Sequence, residues 1–324
     1  MNGMGRKVKV FFKNAKSFSY YRQFGYRIAF AAVISKCIPC HLTNRKYENL
    51  LGEFFQSLLS EEIKKYKAQQ CSCTNIYERT QKAPIWICWY TGIENSPEIV
   101  QACYKSVCHN IPENMAIHQI TLANYKEYIA IPDAIYHKFE QGKISPAAFS
   151  DIIRACLLSE YGGIWLDATV YALGPIPPQL AETQYFTLKA SNELEYRNEP
   201  SHGRWCGFIW ATQPNCSLFC FLRDALIKYW ESYDAVIEYL LPDYIVSLAY
   251  NELPTVRKMI DDFSANINDI WLLMNNLSSE YNKELEAAVV ANNQTVFYKT
   301  TYKRDFLRTT KDGRETLFLH LLRK

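Results

Sequence analysis

Tyr161-Gly162-Gly163-Ile164-Trp165-Leu166-Asp167 is the segment of this chain that is most informative about its fold. A helix is predicted immediately before it, over residues 146–161, because Ser145 is a good N-cap and Gly162 suits the position that follows a helix. The apolar triplet after the glycines has the length and composition of a short buried strand. Asp167 therefore stands at the carboxyl end of a strand, which is where ligands bind in open α/β sheets.

The segments upstream alternate between strand and helix patterns. The continuous apolar run over residues 85–90 is typical of a strand buried on both faces. Residues 116–120 are predicted to form a second strand, and a helical pattern over residues 97–110 separates the two. Such alternation indicates an α/β sheet with crossover helices. Residues 47–70 repeat apolar side chains at helical spacing, so an amphipathic helix is predicted before the sheet begins.

The predicted organisation has three parts. Residues 1–47 form a basic, aromatic arm, residues 48–82 a helical region and linker, and residues 83–324 an α/β domain with C-terminal helices and a tail. A length of 324 residues and a hydrophobic content of 48% allow a sizeable core and exclude a disordered chain.

The net charge of +3 is unevenly distributed along the chain. Residues 1–47 contain ten Lys or Arg and no Asp or Glu, whereas the remaining residues carry a net charge of −7. The longest apolar run of the arm, residues 28–34, is much shorter than the roughly 20 residues that span a bilayer. A basic, aromatic arm favours an anionic membrane surface as partner. Nucleic acid is the alternative, but because no groove-reading motif is present we predict no nucleic-acid partner.

Eleven cysteines bear on the compartment. Because their number is odd and no secretory signal opens the sequence, we expect reduced thiols in a cytoplasmic protein, peripheral on the inner face of the plasma membrane. Cys37 and Cys40, together with Cys71 and Cys73, could form a zinc site. Their irregular spacing and the lack of an accompanying His pair favour structural thiols instead.

Three charged side chains near the two glycines are candidates for chemistry. Asp167 could hold a divalent cation or a ribose hydroxyl, although a single Asp after a strand is also typical of a turn. Asp151 and Arg154 lie three residues apart on one side of the predicted helix, as either an exposed ion pair or the wall of a cleft. In a cleft, Arg154 could hold phosphate or sugar hydroxyls, and Asp151 could accept hydrogen bonds from sugar hydroxyls.

The sequence from Ile144-Ser145-Pro146, through Asp151 and Arg154, to Gly162-Gly163-Ile164-Trp165-Leu166-Asp167-Ala168-Thr169-Val170 resembles the capsular polysaccharide synthesis proteins. These are similar to glycosyltransferases with a DXD sugar-binding motif, which include yeast mannosyltransferases, and more distantly to the large clostridial toxin glucosyltransferases. Pro84-Ile85-Trp86-Ile87-Cys88-Trp89-Tyr90 matches their first strand. The resemblance covers residues 84–175 and extends to residues 205–211 and 242–244, but not to residues 1–75.

The resemblance implies a GT-A (Rossmann-like) glycosyltransferase fold with a mixed central sheet, a nucleotide-sugar donor with UDP-sugars favoured, and retention of anomeric configuration. It also implies that Trp89 lies near the nucleobase and that Asp151 and Arg154 contact the donor sugar. Asp167 would be the first Asp of the DXD motif. Further donor-binding candidates are Ser150, Gly163 and Thr169, and weaker acceptor-side candidates are Trp205, Asp243 and Tyr244.

The DXD motif reads Asp167-Ala168-Thr169 here, so its second carboxylate is missing. The resemblance implies Mn²⁺ or Mg²⁺ as cofactor, with Asp167 as ligand. Three alternatives follow from Thr169. Asp167 binds the metal with water and diphosphate oxygens, another residue substitutes for the second carboxylate, or metal dependence is weak.

Taken with the resemblance, these features predict a bacterial hexosyltransferase. It would transfer a sugar to a growing capsular or O-antigen type polysaccharide, or to a lipid-linked oligosaccharide. The alternative is a catalytically silent protein that binds nucleotide sugars or carbohydrate on the same fold, which Thr169 would favour. A glycoside hydrolase would need two facing carboxylates, and no such pair is evident in the sequence.

Overall fold

The computed structural model describes residues 17–38, 40–69, 82–191, 199–291 and 294–323. In chain order the strands are β1 (Ala83–Cys88), β2 (Met115–Ile120), β3 (Gly163–Leu166), β4 (Val170–Ala172), β5 (Tyr185–Phe186), β6 (Ile209–Thr212) and β7 (Phe297–Lys299). The α-helices are α1 (Tyr26–Cys37), α2 (His41–Leu58), α3 (Ser60–Ala68), α4 (Glu98–Asn110), α5 (Asp133–Glu140), α6 (Pro146–Glu160), α7 (Ser217–Ser232), α8 (Leu241–Glu252), α9 (Pro254–Asp262), α10 (Leu272–Asn276), α11 (Lys283–Ala291) and α12 (Leu317–Arg323).

The central sheet has five strands in the order β2-β1-β3-β6-β5. Strand β1 is parallel to β2 and β3, whereas β6 is antiparallel to both β3 and β5. The fold is therefore an α/β fold with a mixed central sheet, preceded by helices, as predicted.

Alternate residues of the sheet face two separate hydrophobic cores, since successive side chains of a strand point to opposite faces. Trp86, Trp165 and Trp210 lie in the core that contains the buried side chains of α6, α7 and α8. Ile85 and Ile164 lie in the other core, with the buried side chains of α4 and of β4 and β7. Both faces of the sheet are thus covered, which explains why β1 and β3 have continuous apolar sequences.

The N-terminal helices pack on the α/β domain. Phe55 of α2 is 1% exposed, and its ring stacks on that of Tyr244 in α8 at a centroid distance of 5.9 Å. Tyr47 donates a hydrogen bond of 2.5 Å to Glu238, and Lys65 pairs with Asp224 at 2.7 Å. Residues 17–69, where described, therefore share a core with the sheet. The predicted division into a basic arm, a helical region and an α/β domain stays a prediction. Residues 1–16 of the arm lie outside the described residues.

The two glycines that precede β3 are required by their surroundings. Gly162 has φ +59° and Gly163 has φ +85°, both in the left-handed region. A Cβ on Gly163 would lie 2.3 Å from the carbonyl oxygen of Pro84, and one on Gly162 would lie 2.6 Å from the backbone of Gln213. The pair therefore allows α6 to turn directly into β3 while β1 and β6 pass close by.

Some element boundaries differ from the prediction. The single helix predicted over residues 47–70 is two helices that meet at the fully buried Leu59, where the turn lets Tyr66 of α3 contact Phe221 of α7. Strand β5, predicted over residues 184–190, ends at Phe186, and three residues later the backbone N–H of Lys189 donates to the side chain of Asn266, which lies in a loop. Helix α9 was not predicted.

Candidate active site

Arg154 is the centre of a cluster of charged side chains at the carboxyl edge of β1 and β3. Its guanidinium donates a hydrogen bond to Asp151, one turn earlier in α6, and lies 3.9 Å from a carboxylate oxygen of Asp167. The guanidinium carbon lies 5.4 Å from the centroid of the Trp165 ring. Arg154 is only 9% exposed. The alternative of an exposed ion pair with Asp151 is therefore excluded, whereas the role of the pair as the wall of a cleft stays a prediction.

Asp167 accepts hydrogen bonds on both carboxylate oxygens. The indole of Trp165 donates to Oδ1 at 2.9 Å, and the ammonium of Lys299 donates to Oδ2 at 2.9 Å. Burial by itself raises the pKa of Asp167, but the positive charges of Lys299 and Arg154 outweigh it and hold that pKa below its ordinary value. Asp167 is thus an ionised carboxylate with charged partners. It also begins a turn, as the alternative interpretation has it, because the backbone N–H of Val170 donates to its carbonyl oxygen at 2.8 Å.

Lys299 is a site residue that the sequence interpretation missed. The antiparallel pairing of β4 with β7 sets Lys299 opposite Val170, and its ammonium also donates to the hydroxyl of Thr169 at 2.6 Å. The only local signal is a lysine that ends a short apolar strand pattern, Val296-Phe297-Tyr298. Nothing in that pattern indicates which strand β7 pairs with.

Asp243 reaches the same cluster from the first turn of α8. The indole of Trp205 donates to Asp243 at 2.9 Å. Gly207 lies between the cluster's charges, since a Cβ there would be 3.7 Å from Nη1 of Arg154 and 3.9 Å from Oδ2 of Asp243. Burial raises the pKa of Asp243 to about 6, and burial likewise raises that of Asp151 to about 6. Asp151, Asp167 and Asp243 are the carboxylates whose charges hold the pKa of Arg154 above its ordinary value, despite the opposing effect of burial.

The remaining predicted site residues are Trp89, Ser150, Gly163 and Tyr244. Trp89 follows β1, is half-buried, and packs edge-to-face against Tyr302 at a centroid distance of 5.2 Å. Ser150 of α6 lies beside the thiol of Cys88 at the end of β1. Gly163 is not brought to the cluster, because it begins β3 at the end opposite Asp167. Tyr244 directs its ring to Phe55 of the helical region.

The oxygen atoms of this cluster are poorly matched to a hard divalent cation, which prefers several carboxylate, carbonyl or water oxygens. Asp167 and Thr169 both accept from Lys299, and Asp151 accepts from Arg154. Among the described residues, no group of three or more His, Cys, Asp or Glu is arranged to hold a metal ion. Mn²⁺ or Mg²⁺ at Asp167 stays a prediction, and the site's geometry does not favour it.

Two further sequence predictions concern the N-terminal region. Cys37 and Cys40 are exposed free thiols, whereas Cys71 and Cys73 lie outside the described residues, so the zinc alternative stays open. Over the described part of the chain, none of the helices combines the length and the apolar character needed to cross a membrane.

A comparison with protein families agrees with the resemblance in sequence. The sequence model of a family described as "Capsular polysaccharide synthesis protein" matches residues 38–321, most of the chain. Among solved structures, a chain titled "PaToxG Glycosyltransferase" is similar at 13% sequence identity and a TM-score of 0.38, over 66% of this chain and 82% of that one. No curated protein matches the sequence.

Proposed function

Since the chain belongs to the family of capsular polysaccharide synthesis proteins, we propose that it is a glycosyltransferase. It transfers a hexose from a nucleotide-sugar donor to a growing surface polysaccharide, or to a lipid-linked oligosaccharide. The observation that carries the proposal is the buried Arg154, which faces three aspartates at the carboxyl edge of the sheet. An ordered arginine among acidic acceptors is suited to a ligand with both phosphate and hydroxyl groups.

The donor lies across the ends of β1 and β3 in this proposal, with a UDP-sugar as the favoured donor. Trp89 and Tyr302 offer aromatic surface to the base, since both rings are accessible there. Asp151 and Asp243 accept hydrogen bonds from sugar hydroxyls once they are ionised. Because burial raises the pKa of each to about 6, this form predominates above that pH.

We infer transfer with retention of configuration by attack on the front face of the sugar, a reaction that requires no protein nucleophile. The bond between the anomeric carbon and the donor phosphate oxygen breaks, while the acceptor hydroxyl oxygen bonds to that carbon on the same face. The acceptor proton passes to the leaving phosphate oxygen. The protein then contributes orientation and charge stabilisation, for which Arg154 and Lys299 are placed.

The test of this proposal is a donor screen on the intact chain. Thermal unfolding and donor hydrolysis are measured with UDP-, GDP- and CMP-sugars, with and without Mn²⁺. We expect UDP-sugars to raise Tm by a few degrees and to be hydrolysed slowly, because a ligand that binds only the folded state stabilises it. NMR of a transferred product would report the anomeric configuration.

Two other outcomes of the screen have definite meanings. Donor binding without hydrolysis or transfer under any condition would select the silent binding protein, the alternative that the missing carboxylate at Thr169 favours. If no nucleotide sugar changes Tm, the donor site itself is refuted.

A second part of the proposal concerns the membrane. Tyr26, Phe30 and Ile34 of α1 are spaced four residues apart and are 64%, 59% and 47% exposed, so they form one apolar stripe on the outer face of the helix. Arg22, Arg27, Lys36, Arg45 and Lys46, in the same N-terminal region of the chain, are also exposed. An exposed apolar stripe in a basic region suits an anionic lipid surface, where the acceptor of such a transferase would lie.

We expect Phe30→Ser/Ile34→Ser to weaken binding to phosphatidylserine vesicles about tenfold, because two apolar side chains no longer enter the interface. Vesicle co-sedimentation at two salt concentrations measures this. Tyr239→Ser/Leu307→Ser, which changes two exposed apolar side chains elsewhere, serves as the control and should bind normally. Equal binding by both double variants would contradict the assignment of this stripe.

A further inference from the structure

The ammonium of Lys299 contacts both polar side chains of the Asp167-Ala168-Thr169 motif, the motif to which the resemblance in sequence assigns the cation. It is 2.9 Å from Oδ2 of Asp167 and 2.6 Å from the hydroxyl of Thr169, the first and last residues of the motif. The side chain of Lys299 is 16% exposed, so the charge is largely shielded from water but still accessible. The motif is therefore already bound by a positive charge from the chain itself.

Backbone pairing holds Lys299 in this position. Strand β7 pairs with β4 directly after the motif, and the backbone N–H of Thr300 donates to the carbonyl of Thr169 at 2.8 Å. The aliphatic and ammonium parts of Lys299 lie near the ring of Phe208, whose centroid is 5.2 Å from Nζ. Such a lysine loses little freedom when it binds a ligand, because its position is set before the ligand arrives.

The replacement of the second acidic residue by Thr169 fits this arrangement. An ammonium has three N–H donors, of which two are directed to Asp167 and Thr169. The third can be donated to a phosphate oxygen. A second carboxylate at position 169 would add a negative charge beside the phosphates, whereas a hydroxyl accepts from Lys299 and adds none. A divalent cation bound to the same two oxygens would be repelled by Lys299 at close range.

We propose, on the basis of the proposed donor site, that Lys299 is the cation that binds the donor diphosphate and stabilises it as the sugar departs, in place of a divalent metal. As the bond from the anomeric carbon to the phosphate oxygen breaks, its electron pair goes to the diphosphate. Lys299 donates to the oxygens on which that negative charge grows. Asp167 is then the residue that positions the lysine.

The test measures binding of UDP, UMP and inorganic pyrophosphate by calorimetry, in EDTA and in Mn²⁺. Wild type should bind UDP with the same affinity in EDTA and in Mn²⁺, and the same is expected for pyrophosphate. Lys299→Met should lower the affinity for UDP and for pyrophosphate about 10- to 100-fold, which is the range expected for the loss of a hydrogen bond from a charged donor. The affinity for UMP should fall less. Lys299→Arg should retain most of the affinity. Lys303→Met, which removes an exposed lysine four residues further on, is the matched control and should bind as wild type does.

The outcomes separate this inference from the proposed function. If wild type binds UDP only with Mn²⁺, the donor site stands and the role of Lys299 is overturned, a result that needs no variant. An unchanged UDP-to-UMP affinity ratio in folded Lys299→Met also overturns it. If pyrophosphate binds in EDTA and depends on Lys299 while UDP does not bind, the choice of donor is wrong and the role of Lys299 stands. If no diphosphate binds under either condition, both are refuted.

Discussion

Asp167→Asn is expected to lower the rate of sugar transfer by about 10³-fold or more while the protein remains folded. The carboxylate holds Lys299, faces Arg154 and accepts from Trp165. An asparagine keeps the shape and can still accept from Trp165, but it loses the charge that fixes both cations. Loss of one preorganised electrostatic contact in an active site costs about 10²- to 10³-fold in rate, and here two cations are affected together.

Initial rates with the donor found in the screen measure this effect, and circular dichroism with thermal unfolding verifies the fold. Asp262→Asn is the matched control, since Asp262 is exposed and pairs only with the exposed Lys258 in the described contacts. It should leave the rate unchanged. Wild-type activity in Asp167→Asn would refute the assignment of the active site to this strand end.

Arg154→Met is expected to destabilise the fold by about 3–5 kcal/mol at pH 7.5, besides abolishing donor binding. Removal of one partner from a buried group of charges leaves the others uncompensated, and that is the magnitude such changes usually have. Here the remaining carboxylates of Asp151, Asp167 and Asp243 would face one another without the guanidinium. Urea unfolding measures the loss. Arg308→Met, which breaks an exposed pair with Glu98, should cost at most about 1 kcal/mol.

The difference in unfolding free energy between wild type and Arg154→Met should be smaller at pH 5 than at pH 7.5. The pKa values of Asp151 and Asp243 are about 6 in the folded wild type, and Arg154 opposes that rise, so its removal raises both further. A carboxyl group whose pKa is higher in the folded state binds more protons when folded, and stability then increases as pH falls through the folded pKa. A deficit that is as large at pH 5 as at pH 7.5, or one no larger than that of Arg308→Met, would contradict this account.

Helix α6 and strand β3 could be predicted closely because their signals are local. Ser145 does cap the helix, accepting from the backbone N–H of Ala148 at 3.2 Å, and the two glycines take the positive φ that the turn requires. The end of helix α2 could not be predicted in this way. The separation of α2 from α3 at Leu59 follows from packing against the α/β domain and not from any helix-breaking residue. Local propensity favours one continuous helix there, and tertiary contacts override it.

Local sequence was sufficient to predict that Asp167 follows a strand at the edge of an α/β sheet, with Asp151 and Arg154 on the preceding helix. These features depend on residues within about one helix length of one another. The burial of Arg154 among three aspartates, and the contacts of Lys299 with Asp167 and Thr169, follow from the three-dimensional packing of the chain. Lys299 is 132 residues from Asp167, and the pairing of β4 with β7 that joins them depends on strand register and shared core contacts. A local pattern does not specify such a partner, because many strands could satisfy the same hydrogen bonds, and the choice among them is made by the packing of the whole domain.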